Sequence, residues 1–190
     1  MNQTNEMKNP FNTFDVNTEA YVRGQVKFCR IARLIEGKAL EDDANRKRSI
    51  GKDPITVPYT SLTIIAPQVV PKTPGEKSAF EAFLESERFY VSTKYGDVRF
   101  EAISKNPKKL PEVGHYQESS GTYKPVVLQG ELAEGATVMM KVRVFAGKAS
   151  NHGMNLDAVM VMDPEVRYYG SSGDVMASLA QRGMVQASAT

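Results

Sequence analysis

Residue types capable of covalent or metal chemistry are thinly spread in this sequence. His115 and His152 are its only histidines and lie in separate turn-rich stretches. With Cys29 as the single cysteine they give no zinc-ligand spacing. No glycine loop runs into Lys-Ser or Lys-Thr to cradle a phosphate, no dinucleotide fingerprint is present, and no Gly-x-Ser-x-Gly elbow offers a nucleophile. Cys29 has no local base and reads as a small buried hydrophobe. Glu41-Asp42-Asp43 reads as a solvated charge run, and nothing in the sequence requires Asp157 and Glu101 to meet. The expectation is a non-enzyme with no metal and no cofactor.

Rows of cations and rings are what remains. From Gly135 to Lys148 the chain alternates strictly: Val138, Met140, Val142 and Val144 share one face, and Met139, Lys141, Arg143 and Phe145 share the other. That period of two marks a half-buried strand. Its outer face sets two cations and a ring in one line. A turn-rich linker, Gly147–Gly153, joins it to an apolar run from Leu156 to Met162, so the pair reads as antiparallel with a basic outer surface. A plain solvated strand face is the competing reading of the same residues.

The rest of the chain must position these groups. At 190 residues, 41% hydrophobic and 24% charged, it is sized and composed as one globular domain. A net charge of +2 is too small to attract a polyanion as a whole, so an anionic partner has to be met by a local patch. One cysteine excludes an internal disulfide and suits a reducing compartment. No leader and no membrane-length apolar run is visible, which points to a cytoplasmic protein (host cytoplasm if phage-encoded) with no membrane partner.

Taken in order, 1–18 reads as a flexible N-terminal arm. Tyr21 to Arg33 is a strand with Val22, Gly24, Val26 and Phe28 inward and Arg23, Gln25 and Lys27 outward, Gly24 permitting a bulge. Glu36 to Pro54 is a long polar connection, a solvated loop or a short charged helix, carrying Arg46, Lys47 and Arg48. Ile55 to Ala66 is a strand containing Tyr59, which Pro58 places at an edge or a bulge. Thr73-Pro-Gly-Glu76 has the form of a capping box opening a helix of three to four turns, with Phe80, Phe83 and Leu84 in the core and Glu81, Glu85 and Glu87 towards solvent. A hairpin turns at Tyr95-Gly96-Asp97 and brings Tyr90, Lys94, Tyr95 and Arg99 close. Lys105 to Thr122 is a second long loop with Lys105, Lys108 and Lys109. Tyr123 to Leu128 is a short strand, and 171–190 a flexible tail with a weak helical patch at Val175 to Leu179.

A β-rich domain with basic loops and with cations and rings on outward strand faces fits a groove for single-stranded nucleic acid, where cations follow phosphates and rings stack bases. The central strand 135–145, its polar loop and Gly153-Met-Asn-Leu-Asp-Ala-Val159 resemble the C-terminal part of tailed-phage single-stranded DNA-binding proteins. Tyr21–Arg30 and Ile55–Pro67 follow the same order over about 19–165. The resemblance implies a mainly β, OB-fold-like antiparallel barrel of five strands or slightly more over 19–170, with one capped helix and long loops. It implies sequence-independent binding of single-stranded DNA during phage or mobile-element replication and recombination. Implied partners are single-stranded DNA, replication or recombination proteins, and a second copy of the chain. The helix falls earlier than in that group, and Ser178–Thr190 lacks the group's acidic run. The rival reading is a β-sandwich structural or virion-assembly protein without nucleic-acid binding.

Overall fold

The computed structural model describes residues 9–148 and 151–170, so the expected tail 171–190 and its helical patch lie outside the described residues. Its elements are β1 (Glu19–Ile35), α1 (Gly37–Ser49), β2 (Tyr59–Val70), α2 (Ala79–Phe83), β3 (Tyr90–Val91), β4 (Val98–Ser104), β5 (Glu112–Gln117), β6 (Thr122–Pro125), β7 (Thr137–Ala146) and β8 (His152–Val161). The fold is mainly β, as expected. All eight strands belong to one sheet in the order β3-β4-β2-β1-β7-β8-β5-β6. Two facing sheets, which a β-sandwich requires, are not what the described residues form. The run β4-β2-β1-β7-β8 curls until β4 contacts β8 without pairing, an open barrel enlarged by β3 at one end and by the β5–β6 hairpin at the other. The strand count is therefore larger than five. One pair also departs from the antiparallel expectation: β5, inside the stretch read as a long loop, runs parallel to β8.

β1 makes the curl possible. Its first half pairs with both β7 and β2, and its second half with β2 alone. Register with β2 shifts three times, and the residues that absorb the shifts are Ala66, in the left-handed region at φ 49°, Lys27, and the stretch after Arg30. Each extra residue bends the strand and increases its twist. Where β1 leaves its partner, the Glu131 carboxylate accepts hydrogen bonds from the Ile31 and Ala32 amides at 2.7 and 3.1 Å. Two backbone donors are thereby satisfied without a neighbouring strand. β2 is central rather than at an edge, because Pro58 precedes it and takes no place in the ladder.

The concave side holds the core. Val138, Met140, Val142 and Val144 of β7 are all fully buried, as their alternation predicts, against Val22, Val26, Leu62, Ile64 and Phe100. Phe80 and Leu84 plug the barrel end. Their helix starts later than expected. Thr73 and Glu76 form an isolated bridge, and the capping box is Ser78 with Glu81. The Glu81 carboxylate accepts from the Ser78 and Lys72 amides at 2.7 and 3.1 Å, so it is buried rather than in solvent. α2 then loosens into a π turn over Leu84–Arg88.

Residues 9–18 of the expected arm are held against the body. Phe11 and Phe14 pack on Phe83 at centroid distances of 5.4 and 5.2 Å, and the His152 ring bonds the Phe14 carbonyl at 2.9 Å. Two isolated phenylalanines in a polar segment have that docking as their physical reason. Of the two readings of 36–54, the short charged helix is the one that forms, as α1. Its end carries Arg46, Lys47 and Arg48, which suit the negative pole of the helix dipole. Gly51, at φ 69°, stops it with hydrogen bonds from the Gly51 and Lys52 amides back to Arg48 and Lys47. No helix among the described residues is long and apolar enough to cross a membrane.

Gly24 is fixed by space. A Cβ there would lie 2.8 Å from Ile64 Cδ1 and 2.8 Å from the Ile65 carbonyl oxygen. Gly24→Ala should therefore destabilise the domain by about 1–3 kcal/mol through overpacking. The measurement is a lower urea midpoint at unchanged m value.

Candidate functional site

The outer face of β1, β2, β4 and β3 is where rings and cations meet. The β1 bulge at Lys27 reverses parity, so Phe28, expected inside, is 51% exposed. From the β3–β4 hairpin come Tyr95, 56% exposed, and Tyr90, 40% exposed. Arg99 lies between them, its guanidinium carbon 5.4 Å from the Phe28 centroid and 5.0 Å from that of Tyr95. Asp97 clamps it, accepting from Nε at 2.8 Å and Nη2 at 3.0 Å. That fork-to-fork geometry fixes the plane as well as the position of the guanidinium. The Arg99 hydrogen bonds hold the Asp97 carboxyl below its usual range. Two ammonium groups rim the platform: Lys27 sits 5.6 Å from the Tyr95 centroid and Lys94 5.0 Å. The Lys94 hydrogen bond lowers the Tyr95 hydroxyl. The local result is two half-exposed rings around an immobilised cation, with Lys27 near both rings and Lys94 over Tyr95.

A second cluster fastens α1 to the sheet. Asp43, expected in solvent, is buried and pairs with Arg46 at 2.6 Å, Lys47 at 3.2 Å and Arg30 at 3.3 Å. It also accepts the Tyr59 hydroxyl hydrogen. Burial pushes the Asp43 carboxyl up, but hydrogen bonds from Tyr59, Arg46 and Lys47 outweigh it and hold it well below the usual carboxylate range. Burial and the same contact push the Tyr59 hydroxyl up. Tyr59 is 2% exposed and fully engaged, so it is a structural residue and not a stacking surface.

The third group is Lys109, Lys141 and Arg143, which line one polar recess of about 240 Å³. Each already holds a carboxylate: Glu112 at 2.7 Å, Glu19 at 2.6 Å and Asp157 at 2.5 Å. Hydrogen bonds donated to Glu19 and Asp157 raise the pKa of Lys141 and of Arg143 respectively. Lys27 likewise contacts Glu134. Phe145 points outward as its parity predicts, but its ring lies over Gly153, where a Cβ would approach it to 2.8 Å. Arg23 stands exposed on β1, Lys105 and Lys108 stand exposed on the β4–β5 connection, and Arg48 bonds Asn45. The nominated residues thus fall into three clusters, with Arg23, Lys105, Lys108 and Phe145 outside them, rather than into one groove.

No protein-family model matches this sequence, and no curated protein matches it. Among solved structures, a similar one is gp2.5, a single-stranded DNA binding protein encoded by bacteriophage T7, with a TM-score of 0.36 and 14% identity over 92% of this chain and 98% of that one.

Phe28 is the residue that sequence reasoning placed wrongly. A period of two carried from Val22 puts it inside, and only the bulge at Lys27 brings it out. The signal available was the loss of alternation after Cys29. Cys29 itself donates to Glu131 at 3.4 Å, and burial pushes its thiol up to about 12, which keeps it protonated and inert.

Asp43 gives a pH-dependent test. Asp43→Ala should cost about 2–3 kcal/mol near neutrality, from the lost charged hydrogen bonds to Tyr59 and Lys47. The folded carboxyl titrates below its unfolded value, so its contribution is complete above roughly pH 4 and fades as pH falls through the folded pKa. Urea unfolding of the two proteins should converge at acid pH.

Proposed function

We propose that this chain binds single-stranded DNA on the outer face of β1, β2, β4 and β3, over most of its footprint without regard to sequence. The observation that carries this reading is the Asp97-clamped Arg99 between the exposed rings of Phe28 and Tyr95. Every unpaired base offers a π face, so an exposed ring accepts any base at about 1–3 kcal/mol per stack. A duplex hides those faces. Rings left in water on a strand surface forgo burial unless a partner covers them. Residues 19–170 would carry this activity, and its use would be to cover single strands exposed during phage or mobile-element replication or recombination in the cytoplasm.

Electrostatics supports the face in a secondary way. Seven of the twelve cations nominated for phosphate contact are internally neutralised. On this face Lys94 is one that has no carboxylate partner among the described residues, as Arg23, Arg48, Lys105 and Lys108 have none elsewhere. Salt dependence should therefore be shallow, at about −0.7 in log–log slope for each phosphate neutralised on a single strand.

Titration of labelled oligo-dT against a duplex of equal length tests the reading. Phe28→Ala and Tyr95→Ala should each weaken oligo-dT binding by about 1–3 kcal/mol with the melting temperature unchanged. Lys94→Ala should flatten the salt slope by about 0.7, and the Lys141→Ala, Arg143→Ala pair by less than that. Absence of oligo-dT binding at low salt would overturn the proposal.

A further inference from the structure

Next to the platform, on the same outer face, a groove of about 380 Å³ opens between the β3–β4 hairpin, α1 and the π turn after α2. Tyr90, Ile103 and Ile55 supply apolar walls. Two carboxylates, Glu87 and Glu101, and two cations, Lys47 and Arg88, also line it. Lys47 is paired with Asp43 and Arg88 lies over the Phe11 ring, whereas neither carboxylate has an ion-pair or hydrogen-bond partner among the described residues. Glu101 stands in the middle of the face. It is opposite Thr63, which is opposite Phe28, and it follows Arg99 by two positions along β4. Tyr90 pairs with Arg99 across the hairpin, so the groove continues the stacking surface.

Glu101 disfavours a phosphate directly in front of it, while Arg88 at the groove wall can face the sugar–phosphate backbone. A base that enters the groove meets an acceptor with two oxygens. Guanine is the one common base whose pairing edge sets two N–H donors side by side, N1–H and the N2 amine, in register with a carboxylate. Thymine offers a single N–H flanked by carbonyl oxygens, and cytosine and adenine place a ring lone pair beside their amine. Building on the single-strand reading above, we propose that this groove is a guanine-preferring subsite, with Glu101 accepting from N1–H and N2–H and Tyr90 walling the ring.

The test uses labelled oligo-dT of fixed length in which one internal nucleotide is replaced by dG or by deoxyinosine, which keeps N1–H and lacks the amine. The dG oligonucleotide should bind at least about fivefold more tightly than all-dT, the low end of bidentate base discrimination. The inosine version should fall between. Glu101→Gln, checked for an unchanged melting temperature, should abolish the dG advantage and leave all-dT affinity equal or higher. Equal binding of dG and dT oligonucleotides by the unsubstituted protein would overturn the subsite without the use of any variant. So would a dG advantage that survives in Glu101→Gln. Both results leave general single-strand binding intact, whereas failure of every oligonucleotide to bind would remove that reading and this one together.

Discussion

The structure depends on one strand serving two neighbours. β1 pairs with β7 and β2 at the same time, and a flat strand of 17 residues would carry them apart instead of around a core. Bulges resolve the conflict by adding twist and bend, at the cost of ladder hydrogen bonds. The displaced donors are recovered from outside the ladder: Glu131 takes the Ile31 and Ala32 amides, and the Ala136 carbonyl takes the Val26 amide at 2.8 Å. Gly24 lets β2 come close where any side chain would collide with Ile65. Function follows from the same irregularity. The extra residue at Lys27 turns Phe28 out of the core and over the clamped Arg99. Without the bulge, the ring would be core and the platform would lack one wall.

That dependence explains which features were legible in the sequence. β7 is regular, and its alternation predicted both faces residue by residue; its neighbour β8, bulged at Asp157, was legible from its apolar length instead. The β3–β4 turn was visible because Gly96, at φ 73°, fills a position that favours glycine. Features that rest on tertiary partners were visible in part or not at all. α1 was legible only as one of two readings, because it buries only Asp43 and Ala44 and shows no apolar stripe, and the residue that fastens it is a charge whose partners, Tyr59 and Arg30, lie outside the helix. The helix start was misplaced because Thr73-Pro-Gly-Glu76 and Ser78–Glu81 both satisfy the local pattern. The decision between them is made by the Lys72 amide, which only the Ser78 register lets Glu81 reach. β5 was missed since its parallel partner is β8, far along the chain.

Charge accounting then limits how the face works. The chain has 24 Lys and Arg against 22 Asp and Glu, and the structure spends the carboxylates on fixing cations. Glu19 holds Lys141, Asp157 holds Arg143, Asp43 holds the end of α1, and Asp97 holds Arg99. Such pairs contribute little stability where exposed, and each removes a unit of positive potential. Lys141 and Arg143, the most conspicuous cations in the sequence, are therefore poor anchors for a phosphate, since a phosphate would first have to displace a bonded carboxylate. Arg99 differs in consequence though not in pairing. Its charge is neutralised by Asp97, yet its guanidinium is fixed beside two rings that both remain about half exposed. A surface built in this way attracts by stacking area more than by field. Stacking on a rigid support loses little side-chain entropy on binding, because Arg99 is already ordered by its clamp.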